Sequence, residues 1–163
     1  MKIAGIIFVF LFFAFWGFYR AYLYFISLAE IENCKKFLDS ILLYLESNRL
    51  SLKEIFENIK ECGNEAQKNL SERIEKNLYM GKSISKDDIT ISFCNDNVSS
   101  EILLEVLMFL GKCSANEQIQ KIKTGIKNIE RRYSEIFTDY KQKAKLSISM
   151  GIIIGFFVVI ILI

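Results

Sequence analysis

The chain contains no histidine and no proline. The first absence removes the commonest general base near neutral pH and the commonest metal ligand. The second removes the residue that most reliably breaks a helix. Phosphate-cradling and nucleophile motifs are missing as well: there is no G-x-x-x-x-G-K-[ST], no G-x-G-x-x-G and no G-x-S-x-G. The four cysteines, Cys34, Cys62, Cys94 and Cys113, lie 28, 32 and 19 positions apart, so no C-x-x-C pair offers half of a zinc site. Cys34, Cys62 and Cys113 follow or flank apolar helical stripes, and the expectation is buried, reduced thiols. Between Glu30 and Lys145 there are 19 basic and 19 acidic residues, whereas a nucleic-acid-binding domain carries a basic excess. The carboxylates alternate with lysines along helix faces, as in Glu30, Glu32, Lys35 and Lys36, the pattern of solvated i,i+4 pairs. No catalytic residue, cofactor or metal site is expected, and the chain does not read as an enzyme.

What the sequence does have is a pair of apolar stretches. Ile3 to Tyr19 is seventeen residues without a charge and Leu146 to Ile163 is eighteen. As helices each would span roughly 26–27 Å, close to a bilayer core of about 30 Å. Apart from Arg20 at the edge of the first, neither contains an ionisable group, which makes a poor ion or proton pathway. Arg20, Lys35, Lys36, Arg131, Arg132, Lys141, Lys143 and Lys145 lie toward the inner ends of the spans, and only Lys2 lies beyond an outer end. The positive-inside rule then puts the central segment in the cytoplasm and both termini on the opposite side. Ser27-Leu28-Ala29 also resembles a signal-peptide cleavage site, but the apolar run is long for one, and Arg20, Tyr22, Tyr24 and Phe25 intervene. Those aromatics suit an interfacial belt. The expected organisation is an N-terminal transmembrane helix and exit over 1–29, a cytoplasmic helical domain over 30–145 and a C-terminal transmembrane helix over 146–163.

Periodicity fills in the central domain. Cys34, Phe37, Leu38, Ile41, Leu42 and Leu45 form one apolar stripe that continues the first span, with Asn48-Arg49 ending the helix. Ser51-Leu52-Lys53-Glu54 fits a capping box, followed by Ile55, Phe56 and Ile59 facing inward and a stop at Gly63. A third helix, about 65–80, carries Ala66, Leu70, Ile74 and Leu78 and stops at Gly81. Residues 82–98 combine a helix-capping start with the strand-like alternation of Ile89 to Phe93. A lone strand would have no partner, so helix is expected. Asn95 to Val98 reads as a loop, and Ser99 or Ser100 as the cap of a helix with Ile102, Val106, Phe109 and Leu110 inward, closed by Gly111. Ser114 and Glu117 form a second capping box. After it Ile119, Ile122, Ile126, Ile129, Tyr133, Ile136, Tyr140 and Ala144 make a near-heptad seam that runs unbroken into the second span. The seam could meet a second copy of the chain, or the equally continuous first helix. Packing within the chain needs no concentration and is the expectation. The fold class is therefore all-α: a membrane-anchored antiparallel helical bundle with N- and C-terminal transmembrane helices.

Leu110-Gly111-Lys112-Cys113-Ser114-Ala115-Asn116-Glu117-Gln118 is similar to the L-G-x-S-D-x-x-x-Q segment of the stage III sporulation protein AB family. Met150-Gly151-Ile152, Gly155 and the aliphatic tail continue the likeness. Trp16-Gly17-Phe18-Tyr19 resembles that family's glycine-aromatic exit from the first span, and Leu50 to Ile59 its T-P-L-x-x-A-x-x-x-I helix start. The likeness covers nearly the whole chain and is more specific from Ser99 onward. Serine stands at 114 in place of the family's aspartate and can still cap a helix. The family's prolines are absent, with Ser51 in one of their places.

The resemblance implies a non-enzymatic membrane platform of a sporulation-specific, secretion-like channel complex between mother cell and forespore. Its location would be the mother-cell membrane around the forespore. Its partners would be a cytoplasmic secretion-type ATPase and other channel proteins, while the seam leaves homo-oligomerisation possible and the balanced charge argues against nucleic acid. It also implies a domain like the cytoplasmic part of type II secretion F platform proteins. A membrane-anchored regulatory adaptor unrelated to sporulation is the alternative. Within the capped turn, Gly111, Ser114 and Glu117, like Ser51 and Glu54, are expected to be structural. Gln118, with Lys112, is the candidate partner contact.

Overall fold

The computed structural model describes residues 2–47, 50–79 and 84–162. All regular structure among them is helical: α1 Lys2–Ser47, α2 Leu52–Cys62, α3 Glu65–Tyr79, α4 Lys86–Ser92, α5 Asn97–Phe109 and α6 Ala115–Leu162. The stretch with strand-like alternation is thus helical over Lys86–Ser92. The suggested helix ends at Asn48-Arg49 and Gly81 lie outside the described residues, as does the side chain of Leu78. The chain divides into two compact units. One, the bundle, is Ala29–Ser134. The other, the hairpin, comprises the residues up to Leu28 and those from Glu135. Helices α1 and α6 each contribute to both.

In the bundle, α1 buries Ile31, Cys34, Phe37, Leu38 and Ile41, which recur at helical spacing on one face. The Phe37 ring lies 6.5 Å from that of Phe56 on α2 and 5.5 Å from that of Phe93 after α4. Helix α2 starts at Ser51, whose hydroxyl accepts from the Glu54 amide while the Glu54 carboxylate accepts from Ser51 N–H at 2.8 Å; it ends at Gly63. Helix α3 buries Gln67, Leu70, Ser71 and Ile74, leaving Ala66 half-exposed. Its stripe has the right period but includes two polar residues, which an apolar-only pattern skips. A Lys60–Glu75 ion pair ties α2 to α3.

Helix α5 departs from expectation at both ends. Its cap is Asp96 rather than Ser99 or Ser100, and the helix begins at Asn97, inside the expected loop. Its buried face is Ser99, Ser100, Leu103, Val106 and Leu107, whereas Phe109 is 42% exposed. The reason is Asp96 itself. Its carboxylate accepts from the Ser99 amide at 2.9 Å and the Ser99 hydroxyl at 2.7 Å, and it pairs with Arg132 of α6 at 2.9 Å. Capping three residues earlier turns Ser99 and Ser100 into the core.

Helix α6 buries Ile122, Gly125 and Ile129 in the bundle. A Cβ on Gly125 would come 2.6 Å from Val106 Cγ2 and 3.4 Å from Leu38 Cδ1, so α6 is wedged against both α5 and α1. Lys35–Glu130 at 2.7 Å and Lys123–Glu46 at 2.7 Å flank the α1–α6 contact. Within the chain, the α6 seam thus packs on α1 and α5.

The four cysteines are free; Cys34 and Cys94 are buried and Cys113 half-buried, but Cys62, at the last position of α2, is exposed. Cys94 hydrogen-bonds the Cys34 thiol, and this contact, together with burial, pushes Cys34 well above the ordinary thiol value. The raised value keeps the Cys34 thiol protonated at neutral pH, so it is a packing group rather than a nucleophile.

In the hairpin, the buried positions of α1 are Gly17, Ala21 and Leu28, and those of α6 are Ile136, Ala144, Gly151 and Gly155. A Cβ on Gly151 would come 2.7 Å from the Phe13 carbonyl oxygen and 2.9 Å from Gly17 Cα; one on Gly17 would come 2.7 Å from the Ser147 carbonyl oxygen. Only glycine permits so close an approach of two helix backbones. Phe10–Phe156 and Tyr24–Tyr140 ring contacts, at 5.1 and 5.4 Å, close the two ends. The large apolar side chains point the other way: Phe8, Phe15, Trp16, Phe157 and Ile160 are each more than half exposed. Helices α1 and α6 are long and apolar enough to cross a membrane, and only 11% and 17% of their most apolar windows are covered by protein.

Candidate functional site

The two capping boxes start α2 and α6 beside one another. Ser114 N–H donates to Glu117 Oε2 at 3.0 Å and the Ser114 hydroxyl donates to the same oxygen at 2.9 Å, while the Glu117 amide reaches Ser114 Oγ at 3.4 Å. The serine contacts hold Glu54 and Glu117 below the ordinary glutamate value. Upstream, Leu110 is the extended C-cap of α5 and Gly111 has φ +77°, a left-handed conformation that a side chain rarely adopts. Gly111 rests over Leu52: an added Cβ would lie 2.9 Å from Leu52 Cδ1. The turn before α6 thus packs on the first turn of α2.

Between these starts and the end of α1 lies an open groove of about 520 Å³. Its apolar lining is Leu45, Leu50, Leu52, Ala115 and Ile119; its polar rim is Glu46, Asn116 and Gln118. Glu46 is engaged with Lys123, whereas Asn116 is exposed. Gln118 lines the groove, but its side-chain nitrogen donates to the Cys113 carbonyl at 2.7 Å, so it also staples the turn. Lys112 is exposed, lies outside the lining, and donates its backbone N–H to the Phe109 carbonyl at 3.3 Å. The arrangement offers apolar contact area with a few hydrogen-bonding groups at its edge, the chemistry of a protein-docking depression. Among the described residues no three cysteine, aspartate or glutamate side chains come together to hold a metal ion.

Sequence patterns identified Gln118 and both helix starts but missed Leu45, Leu50, Asn116 and Ile119 as one surface. The capping boxes fix where α2 and α6 begin. Only the packing of Gly111 on Leu52, and of α6 on α1, brings those beginnings to the end of α1. A local signal was present in Leu45 and Ile119, which stand at the last and first positions of the two apolar stripes.

No curated protein and no solved structure matches the chain. A family model does, over residues 2–163, that is, over almost its entire length. The segments carrying the earlier resemblance are also paired in space: Gly17 of the first-span exit touches Gly151 of the C-terminal glycine steps, and Leu52 of the second-helix start lies under Gly111. The chain belongs to the stage III sporulation protein AB family.

Proposed function

We propose that this sporulation protein is a non-enzymatic, membrane-anchored platform in a secretion-like channel complex between mother cell and forespore. The hairpin holds it in the mother-cell membrane, with the bundle in the cytoplasm and both termini on the other side. Arg20, Lys141, Lys143 and Lys145 supply the basic flank that favours this orientation. The bundle receives a cytoplasmic secretion-type ATPase. The observation that carries this reading is the groove lined by Leu45, Leu52 and Ile119: an apolar depression formed where the end of α1 meets the starts of α2 and α6. The hydrogen-bonding rim gives it orientation as well as adhesion.

The test is site-specific photo-crosslinking in sporulating cells. A benzophenone side chain replacing Asn116 should give one discrete adduct whose partner is identified by mass spectrometry as an ATPase. The same probe replacing Asn69, an exposed residue of α3 outside the groove, should give none. Equal adducts from both positions, or none from either, would remove the groove from the proposal.

A further inference from the structure

The hairpin has a concavity of its own, about 310 Å³, and its lining is ordered from apolar to polar. Phe13, Trp16, Gly17 and Arg20 come from α1, at i, i+3, i+4 and i+7; Ser147, Met150, Gly151 and Ile154 come from α6 at the same spacing. Each set is one helix face. Because Gly17 and Gly151 have no side chains, they form the floor where the backbones meet. Exposed Trp16, Met150 and Ile154, with Phe13, build the walls. The helices are antiparallel, so Arg20 and Ser147 share one end of the groove, and Phe13 and Ile154 the other. No carboxylate lines it.

An apolar slot with an arginine and a serine at one end of its lining suits an amphiphile with an anionic head. Arginine pairs with phosphate oxygens through two parallel N–H donors. Trp16, one turn from Arg20 on the same helix face, adds a broad apolar surface. We infer that this groove binds an anionic phospholipid, its phosphate on Arg20 and Ser147 and an acyl chain along Trp16, Met150 and Ile154. The inference rests on the proposal that the hairpin lies in a membrane. A zwitterionic lipid would fill the same slot, but its ammonium gains nothing from Arg20. A free phosphate would have no use for the apolar walls.

Trp16 is the only tryptophan in the chain, so its fluorescence reports on this groove alone. The full chain is reconstituted in phosphatidylcholine vesicles containing phosphatidylglycerol, with bromine on the acyl chains of one lipid or the other. Bromine quenches the indole on contact. Brominated phosphatidylglycerol should compete for the groove with an apparent association constant about fivefold above that of brominated phosphatidylcholine, the factor equivalent to about 1 kcal/mol for one cation at an anionic surface. Arg20→Gln should bring the two lipids to parity. Lys145→Gln removes the same charge from a residue outside the lining and should keep the preference. Equal quenching by both lipids in the unaltered chain would overturn the inference, as would equal loss of preference in the two variants, which would mark a diffuse surface potential. Trp16 emission that ignores both brominated lipids but changes with protein concentration would assign the groove to a second copy instead. Failure of either lipid to quench Trp16 in a chain that cofloats with vesicles would also reject the site; failure to cofloat would reject membrane insertion itself.

Discussion

The same two helices are packed in opposite ways in the two units. In the bundle α1 and α6 bury large side chains, Phe37, Leu38 and Ile122 among them, and charges such as Lys35 and Glu130 stand at the edge of their contact. In the hairpin the contact is made by Gly17, Ala21, Ala144 and Gly151, and the large side chains face outward. Water rewards hiding phenylalanine, so the bundle buries it. A bilayer does not, because lipid tails are as apolar as leucine, and close backbone contact between small residues is what remains to hold helices together. One helix therefore changes its packing rule along its length. The change on α1 falls between Ala21 and Ile31.

The largest effect separating the two rules should come from Phe37→Ala. Removing a fully buried ring that touches Phe56 and Phe93 should cost the bundle about 3–5 kcal/mol. Urea unfolding of the full chain in nanodiscs, followed by circular dichroism, would read it. Phe15→Ala, an equal loss from an exposed hairpin position, should cost little by the same assay.

Gly151→Leu reverses the logic. The new side chain meets α1 backbone at 2.7 Å, and overpacking of this kind costs about 1–3 kcal/mol. Spin labels on exposed Phe8 and Phe157 should report a longer inter-helix distance in the variant. An unchanged distance would break the small-residue account of the hairpin.

Asp96 comes next. Burial would raise its pKa, but Arg132 and the Ser99 hydroxyl and amide outweigh burial and hold the carboxyl below the ordinary aspartate value. A lowered folded-state value means that the contribution is fully present above the unfolded aspartate pKa of about 3.9 and is lost as pH falls through the lower folded value. Asp96→Asn should cost about 1–3 kcal/mol at neutral pH, a hydrogen bond to charge discounted for the partial exposure of Arg132. It should also flatten the acid limb of the stability curve. A variant as acid-sensitive as the unaltered chain would place that limb elsewhere.

Ser51→Ala should cost less than Phe37→Ala, Gly151→Leu or Asp96→Asn, about 1 kcal/mol from loss of the α2 cap. It should leave the hairpin label distance unchanged.

Much of this fold was legible because most elements announce themselves locally. Apolar periodicity located α1, α2 and α6, and two S-x-x-E boxes marked helix starts that the hydrogen bonds at Ser51 and Ser114 display. The α5 start was misread because aspartate and serine both cap, and Asp96, Ser99 and Ser100 compete within five residues. What decides is Arg132, thirty-six positions away, which rewards Asp96 with an ion pair. The α3 face was incomplete because Gln67 and Ser71 are buried polar residues. The groove was legible only in pieces, since Gln118 and Ser51 lie in different elements whose proximity is tertiary. The glycine contact was written in the sequence as Gly17 and Gly151, but as motif letters rather than as a surface.

The groove at Asn116 is the docking surface we propose. The most direct test is complementation of an in-frame deletion in the spore-forming host, scored as heat-resistant spores. Unaltered protein and Asn69→Arg should restore sporulation, whereas Asn116→Arg, present in the membrane at the same level, should not. Full rescue by Asn116→Arg would contradict the account.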